Sequence, residues 1–390
     1  MAKLGDVCII NPKGKSLDDD CDVSFVPMQS VSEDGTVDVT TIRKYGEVKK
    51  GFTNFQDGDI LFAKITPCME NGKGCIANGL KNGMGFGSTE FHVLRPKSEL
   101  VTSEWIYYLT SWPEFRKECE KNMTGSAGQK RVPKTFLENY QIDIPSLDEQ
   151  DRITAQLDKV SDLIAKRQAQ LDKLDLLVKS KFMEMFGDVE TNPMNWPTST
   201  IGAVVDSIEA GWSGNGTQRE KQPGEIAVLK VSAVTKGYFI PSECKVLDDQ
   251  ENIKKYVFPQ KGDLLFSRAN TREMVGATAV ISEDYPELIL PDKLWKIRFI
   301  DGINVHYMKQ VLSSKSVREK FSAASTGTSG SMYNVSMDKF KQIKIPVPPA
   351  DSQDNFSQFV EQTERMKNYI ASSLDKLETM KKALMQEYFG

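Results

Sequence analysis

The chain has 390 residues, and its 39% hydrophobic and 27% charged residues describe a globular protein with core material for two or three domains. Its net charge of −4 argues mildly against a nucleic-acid-binding protein, because affinity for DNA depends largely on neutralised phosphates. The start of the chain lacks the basic segment and apolar run of a secretion signal, and no apolar stretch has the length of a membrane span, so we expect a cytoplasmic protein.

The first 147 residues are rich in Gly, Pro and short β-branched or aromatic runs, which predicts the strands of a mixed α/β domain. We expect strands in DVSFVPM, GDILFAKI and STEFHVLRP. A helical stretch, TSEWIYYLTSWPEFRKECEK, and a Thr-Gly loop at residues 124–128 follow. Residues 121–134 hold four basic side chains and no acidic one, so a locally basic face is compatible with the net negative charge.

Residues 148–186 contain neither Gly nor Pro, and their apolar positions recur at spacings of three and four. This pattern predicts one long helix with a heptad seam, interrupted by Arg167. The seam residues are Leu157, Val160, Ile164, Leu171, Leu174 and Val178.

The same order of elements follows a second time. Residues 188–347 contain the predicted strands IAVLKVSAV, GDLLFSRA and LWKIRFI, then the helical stretch NVHYMKQVLSSKSVREKFSA and another Thr-Gly loop. Residues 348–390 form a second helical tail with a seam interrupted by Thr363 and Ser373. Its apolar residues are Phe356, Phe359, Met366, Ile370, Leu377, Met380 and Leu384.

Four short segments recur in the same order at an offset near 202 residues. They are GDILFAK and GDLLFSR, TGSAG and TGTSG, QIDIP and QIKIP, and the helix ends MFG and YFG. A period this long is far beyond that of a solenoid, so each copy is predicted to be a domain with its own core. The chain is therefore a tandem duplication.

A helix of nearly forty residues spans roughly 55 Å, longer than one domain, and cannot bury its seam alone. The predicted fold is two duplicated mixed α/β domains separated by two long antiparallel helices that form a coiled coil, with pseudo-two-fold symmetry. The alternative is that each helix packs on its own domain. The predicted boundaries are residues 1–147 and 188–347 for the domains, and 148–187 and 348–390 for the spacer helices.

Motifs of catalysis are absent from the sequence. ENGKG at residues 70–74 lacks the spacing of a phosphate loop, and GMGFGS at residues 83–88 lacks the βαβ context of a dinucleotide site. The six cysteines form no CxxC pair, so we expect reduced thiols and no metal site, and His92 and His306 are expected on the surface of a strand or helix. This pattern suits binding better than catalysis.

The two Thr-Gly loops indicate what is bound. Arg, Lys, Gln and Asn read purine edges in the major groove, whereas Ser and Thr position phosphates. The residues after the glycines differ between the copies, which favours two domains that read different DNA half-sites; simple solvated turns are the alternative. These residues are Gln129, Lys130 and Arg131 in the first copy and Ser331, Tyr333 and Asn334 in the second.

The order of domain, helix, domain and helix resembles, over the whole chain, the specificity subunit of type I restriction-modification enzymes. The most specific parts are QIDIPSLDEQDRI at residues 141–153, the paired GDILFAK and GDLLFSR segments, the Thr-Gly loops and the MFG and YFG helix ends. The second helix start, IPVPPADSQDNF, is the less typical one, because it has two extra residues and ADSQ in place of LDEQ.

The resemblance implies a subunit without catalytic activity that binds double-stranded DNA at a bipartite sequence, one half per domain. It also implies two adenine-methylating subunits held against the helices and, in some assemblies, restriction subunits. S-adenosylmethionine, ATP and Mg²⁺ would then be bound by those partners, with no cofactor in this chain. A purely structural scaffold that joins two protein-binding domains is the main alternative, and an enzyme with a site between the halves is a more distant one.

The resemblance does not say which side chains touch DNA, so we predict them from their position at the ends of the paired strands and in the Thr-Gly loops. In the first copy they are Lys64, Thr66, Ser126, Gln129, Lys130 and Arg131. In the second copy they are Arg268, Asn270, Arg272, Thr328, Ser329 and Tyr333.

Overall fold

The computed structural model describes residues 1–126, 128–325 and 333–390. The chain divides into two compact units, the first made of Met1–Gln168 with Ser372–Gly390 and the second of Ala169–Ala371. Each unit therefore contains an α/β domain and a part of both long helices. Among the described residues, no helix has the length and apolar character required to cross a membrane.

In the first unit, short strands precede a group of helices. The strands are β1 (Ala2–Lys3), β2 (Cys8–Ile10), β3 (Asp22–Val26), β4 (Ile42–Lys44), β5 (Thr53–Gln56), β6 (Ile60–Ala63), β7 (Gly74–Ile76), β8 (Met84–Gly87), β9 (Phe91–Pro96) and β10 (Gln141–Ile142). The helices are α1 (Leu4–Val7), α2 (Tyr45–Val48), α3 (Ser103–Ser111), α4 (Pro113–Lys121), α5 (Lys134–Asn139) and α6 (Leu147–Phe186). The predicted helical stretch is divided into α3 and α4 because Pro113 cannot continue a helix but is well placed to start one.

Two four-stranded sheets form the frame of this domain. One has the order β2-β9-β6-β7 and is antiparallel; the other has the order β4-β3-β8-β5, in which β3 and β8 are parallel. The first sheet and helices α3 and α4 enclose a core that includes Phe62, Trp105 and Phe115. The short apolar runs form strands buried along most of their length, and together they produce the predicted α/β domain.

The second unit repeats this construction. Its strands are β11 (Thr198–Thr200), β12 (Val205–Ala210), β13 (Gly216–Thr217), β14 (Ala227–Leu229), β15 (Cys244–Leu247), β16 (Leu264–Ser267), β17 (Ala269–Asn270), β18 (Thr278–Val280), β19 (Leu288–Ile289), β20 (Leu294–Phe299), β21 (Tyr333–Asn334) and β22 (Lys344–Pro346). Its helices are α7 (Ile201–Val204), α8 (Val305–Ser313), α9 (Lys315–Ala324), α10 (Met337–Gln342) and α11 (Ala350–Phe389). The sheet orders are β12-β20-β16-β18 and β13-β15-β14-β19, with β14 and β19 parallel.

One predicted strand of the second copy is wrong in part. The segment IAVLKVSAV forms β14 and then a 3-10 helix at Val231–Val234. Ala233 and Val234 are buried in this turn. A short apolar run predicts burial, but by itself it does not distinguish a strand from a helical turn.

The repeated Gly-Asp pair has a structural role. Gly58 has a φ of 85°, which a glycine adopts without strain, and the buried Asp59 accepts a hydrogen bond from the backbone N–H of Gln56 at 2.8 Å. Its two carboxylate oxygens accept from Nε and Nη2 of Arg95 at 2.8 and 2.7 Å. The aspartate therefore ties the turn before β6 to the neighbouring strand β9.

The second copy repeats this contact and adds a cation. Gly262 has a φ of 87°, and the fully buried Asp263 accepts from the backbone N–H of Gln260 at 2.7 Å and from Arg298 Nε at 2.7 Å. Lys296 Nζ lies 3.1 Å from the same carboxylate, and this lysine is only 5% exposed. Burial of a lysine requires such a partner, since an unpaired buried charge is costly.

A buried glutamine in the first turns of each long helix forms a second repeated contact. Gln150 accepts from the backbone N–H of Thr102 at 2.9 Å and donates to the carbonyls of Leu100 and Pro145, each at 3.0 Å. In the second unit Gln353 accepts from the backbone N–H of Asn304. It donates to the carbonyls of Pro348 and Gly302. The second helix start is less typical in sequence, but it retains the glutamine that makes these hydrogen bonds.

The predicted antiparallel pairing of the long helices is confirmed within the second unit. Lys367 of α11 forms an ion pair with Asp175 of α6 at 2.8 Å, and the rings of Phe356 and Phe186 have centroids 5.6 Å apart. As α6 advances from 175 to 186, its partners on α11 recede from 367 to 356. In the first unit Tyr388, near the end of α11, donates a hydrogen bond to Gln156, near the start of α6.

Both helix ends pack on equivalent positions. Phe186 of the MFG end lies 4.9 Å, centroid to centroid, from Tyr307 of α8 in the second unit. Phe389 of the YFG end lies 5.6 Å from Trp105 of α3 and 6.4 Å from Trp112 in the first unit. The last helix of the chain therefore completes the core of the first unit.

Two details of the sequence interpretation are wrong. Met366 and Met380, predicted to lie in the seam, are about half exposed, whereas Thr363 is buried and donates its hydroxyl hydrogen bond to the Phe359 carbonyl. His92 is buried on β9 rather than exposed, because both ring nitrogens find partners in the side chain of Asn11 and the carbonyl of Val132. All six cysteines are free thiols.

Candidate nucleic-acid interface

In the first unit, backbone hydrogen bonds join the residues after β6 to the end of the Thr-Gly loop. The N–H of Thr66 donates to the carbonyl of Lys130 at 3.0 Å, and the N–H of Val132 donates to the carbonyl of Lys64 at 2.9 Å. The N–H of Lys64 donates to the carbonyl of Glu90 at 2.9 Å. These bonds bring together two sets of predicted site residues that lie more than sixty positions apart in the sequence.

The second unit contains the same connection. The N–H of Arg268 donates to the carbonyl of Lys293 at 3.1 Å, and the N–H of Val335 donates to the carbonyl of Arg268 at 2.9 Å. Strand β17 then pairs with β21, so that Asn270 lies opposite Tyr333. Lys64 and Arg268 therefore occupy equivalent positions, with Glu90 of the first unit replaced by Lys293 in the second.

The side chains at these positions differ between the units. In the first, Arg131 donates from Nε and Nη2 to the two carboxylate oxygens of Glu90, each at 2.8 Å. These hydrogen bonds hold the pKa of Glu90 below its ordinary value, and the charge of Arg131 adds to the effect. The guanidinium is about two-fifths exposed, so it is oriented by Glu90 while it keeps an accessible face.

The other predicted residues of the first unit lie around this ion pair. Thr66 donates its hydroxyl hydrogen bond to Oε1 of Glu70 at 2.8 Å. Ser126, Gln129 and Lys130 are exposed on the loop. The loop therefore presents a hydroxyl, an amide and a cation to the solvent, the groups that bind phosphates and base edges.

In the second unit, Arg268 is held by a neutral acceptor. Its Nε donates to the backbone carbonyl of Asp292 at 2.9 Å. The side-chain carbonyl of Asn270 accepts from the N–H of Thr271 at 2.9 Å, and Arg272 is exposed, with Nε 3.4 Å from the hydroxyl of Ser322. The remaining predicted residues, Thr328 and Ser329, lie outside the described residues.

A cavity of about 610 Å³ opens beside the connected segments of the first unit. It is lined by Thr66 and Lys130 of the predicted set, and also by Glu70, Lys117, Glu120 and Lys121, which are outside the set of predicted contact residues. A signal for the two lysines was available, because positions four apart on one helix lie on the same face, and both belong to α4. Glu70 carried no such signal, since its place beside Thr66 depends on the turn after β6.

No group of three or more His, Cys, Asp or Glu side chains that could hold a metal ion occurs in the described part of the chain. The arrangement can accept and donate hydrogen bonds and attract anions. It therefore suits recognition of a polyanion.

The comparisons with known proteins agree with the interpretation that this surface binds a polyanion. The family model for the type I restriction modification DNA specificity domain matches residues 1–174 and again residues 193–379. The EcoEI specificity subunit of a type I restriction enzyme from Escherichia coli is 29% identical over 89% of this chain and 74% of that protein. The EcoAI specificity subunit, also from Escherichia coli, is 46% identical over 43% of this chain and 28% of that protein.

A solved structure has the same fold. The crystal structure of the S subunit of a type I restriction-modification system from M. genitalium aligns with a TM-score of 0.56 and 12% identity, and covers all of this chain and 95% of that one. The double match of the family model confirms the predicted duplication. The chain belongs to the type I restriction-modification specificity family, as a non-catalytic DNA-recognition subunit with two recognition domains.

Proposed function

We propose that this subunit reads a bipartite DNA sequence, one half-site with each domain, and holds two adenine-methylating subunits against its long helices. The domains correspond to residues 1–147 and 188–347, and the spacer helices to 148–187 and 348–390. One observation carries the proposal. Equivalent backbone hydrogen bonds in both units hold the end of a strand against the segment after the Thr-Gly loop, and different side chains occupy the equivalent positions.

The different side chains support two different half-sites. A guanidinium can donate two parallel hydrogen bonds to guanine, and an asparagine can pair with adenine in the same groove. Arg131 of the first unit is oriented by a carboxylate, whereas Arg268 of the second is oriented by a backbone carbonyl. We propose that these two arginines, with the other predicted residues of their loops, contact bases or phosphates.

Exposed apolar side chains on the long helices support the attachment of partner subunits there. Large hydrophobic residues are rarely left in contact with water in groups unless a partner covers them. In the second unit these residues are Leu176, Leu177, Met366 and Tyr369, and in the first unit they include Leu163 and Met380. S-adenosylmethionine would be bound by the methylating subunits and ATP with Mg²⁺ by restriction subunits, in the cytoplasm.

Exchange of residues 1–147 for those of a related subunit tests the division of labour. Methylation-site sequencing of a host that expresses the hybrid should show a change in one half of the methylated motif, with the other half retained. A change in both halves, or in neither, would contradict the assignment of one half-site to each domain.

Arg268→Gln tests the site itself. If Arg268 reads a base, its loss should weaken binding to the cognate duplex by roughly ten- to hundred-fold and relax the preference at one base pair. Gel-shift titrations of the chain with its methylating subunit measure the effect, and Lys315→Gln, a side chain 91% exposed on α9, is the matched control. If the chain binds no DNA either with or without the methylating subunit, the proposal is contradicted and the structural scaffold is favoured.

A further inference from the structure

A second cavity, of about 290 Å³, lies within the second unit, and its lining includes none of Arg268, Asn270, Arg272 and Tyr333. Its lining includes five cationic side chains from five different segments of the chain. They are Lys179 of α6, Lys236 in the turn after Val231–Val234, Lys309 of α8, Arg318 of α9 and Lys367 of α11. Cations from so many segments converge only where the tertiary fold places them together.

The carboxylates of the lining are already engaged. Asp175 and Glu364 are the two acidic residues among the described lining residues, and Lys367 Nζ lies 2.8 Å from the first and 3.0 Å from the second. One lysine therefore neutralises much of the negative charge. The five cations and two carboxylates give the lining a net charge of +3, because the other four cations outweigh the one negative charge that Lys367 does not offset.

Lys309 is a partly buried cation of this lining, and desolvation disfavours its charged form. Burial lowers the pKa of its ammonium group, and the charges of Lys367 and Lys179 lower it further, against the opposing effect of Glu364 and Asp175. A cation desolvated among other cations is stabilised by an anion placed at short range. The geometry and the charge thus point to the same kind of ligand.

The wall also supplies neutral hydrogen-bond donors. The hydroxyl groups of Thr278 and Ser313 lie 2.9 Å apart and share one hydrogen bond, so the second proton of the pair can be donated to another acceptor. Gln310 adds an amide on the same helix as Lys309. Several donors around one cation-rich cavity are suited to an oxyanion with more than one acceptor oxygen.

The first unit uses the equivalent positions differently. At the offset of 202 residues, Lys309 and Gln310 correspond to Tyr107 and Tyr108. The hydroxyl of Tyr108 donates to Asp158 at 2.6 Å, a contact within the frame of the first unit. The fold therefore does not require a lysine at the position of Lys309.

We propose that this cavity is a binding site for a phosphate group. Its volume accommodates a single phosphate with part of an attached group. The phosphate has two possible sources, a free phosphate compound or the backbone of bound DNA, and both offer the same oxyanion to the same cations. The proposal goes beyond half-site recognition and does not depend on it.

Calorimetric titration of the full chain with sodium phosphate tests the free source. The reference titration uses sodium chloride at equal ionic strength and pH. We expect saturable binding at one site, weakened at least tenfold by Lys309→Gln and unchanged by Lys315→Gln, which removes an equally charged but exposed side chain. Lys309→Gln should fold normally, because it removes a desolvated charge; thermal unfolding checks this, and Lys236→Gln is the second variant.

The salt dependence of DNA binding by the complex with methylating subunits tests the backbone source. If the cavity holds a DNA phosphate, Lys309→Gln should reduce the slope of log K against log salt by about one, and Lys315→Gln should leave it unchanged. Either result supports the site and identifies its source. Absence of saturable phosphate binding together with an unchanged slope overturns the proposal. If the complex of the unmodified chain does not bind DNA at all, that result counts against half-site recognition and not against the phosphate site.

Discussion

The two units differ little in their buried polar contacts and much in the side chains at the ends of equivalent strands. Asp59 and Asp263 tie the same turn to the same neighbouring strand. Gln150 and Gln353 connect the same helix start to the same loop. At the connected segments, by contrast, the first unit has an arginine-glutamate ion pair and the second has an arginine bound to a backbone carbonyl.

This difference has a physical basis. A buried polar group that loses its partner costs the full desolvation energy, so both members of a buried pair must be retained together. A side chain at a solvent-exposed loop can change without this penalty, provided that the backbone connection remains. Duplication of such a domain therefore produces a constant frame with variable contacts.

The largest expected effect concerns the buried aspartates. Asp263→Asn removes the charge that faces both Lys296 and Arg298, and breaking a buried pair of this kind costs about 3–5 kcal/mol. Asp59→Asn should cost less, about 1–3 kcal/mol, because Asp59 pairs with Arg95 and has no counterpart of the buried Lys296. Urea unfolding measures both, and equal losses would show that Lys296 makes no separate contribution.

The aromatic helix ends test the division of the long helices between the units. Phe186→Ala should destabilise the second unit by about 3–5 kcal/mol, and Phe389→Ala should destabilise the first by about 2 kcal/mol, since Phe389 is only partly buried. Hydrogen exchange provides the readout. Phe389→Ala should raise exchange in α3, and Phe186→Ala should raise it in α8; the reverse assignment would refute the packing of each end.

The smallest effect concerns pH and the ion pair that distinguishes the first unit. The pKa of Glu90 is lowered in the folded state, so its contribution is complete above its unfolded pKa of about 4.3 and is lost as the pH falls through the lower folded value. Glu90→Gln should therefore reduce stability slightly at pH 7 and reduce the loss of stability below about pH 5.

Urea midpoints at pH 7 and at steps below pH 5 measure this difference, with Glu47→Gln, an exposed carboxyl on α2, as the control. Parallel pH profiles for the unmodified protein and Glu90→Gln would show that the ion pair contributes nothing to stability. The second unit offers the natural contrast, because Lys293 occupies the position of Glu90.

Much of the fold was predictable because its signals are local. The apolar period and the lack of Gly and Pro locate α6 and α11 almost to the residue. The seam was less predictable: Met366 and Met380 fit an apolar spacing but face the solvent, since spacing alone does not say which of two neighbouring faces is covered. His92 likewise has no sequence signal for burial, because its partners Asn11 and Val132 come from distant segments.

The candidate site was predictable in its composition and less so in its contacts. Repeated segments identified Lys64 and Arg268 as equivalent, and the backbone bonds confirm that equivalence. The partners Glu70 and Glu90 were not found, because an ion pair or a hydrogen bond between separate loops leaves no periodic trace. Which of these side chains meet DNA is still a prediction.

By itself, the sequence determined the duplication, the two long helices and the membership of a DNA-recognition family, because repeats and heptad periods are patterns that can be recognised in the linear sequence. Only the tertiary structure decided that the end of α11 completes the first unit, where Phe389 packs on Trp105. It also decided that five cations meet in one cavity of the second unit. Contacts between residues far apart in the chain depend on how surfaces pack, and packing has no local pattern to read.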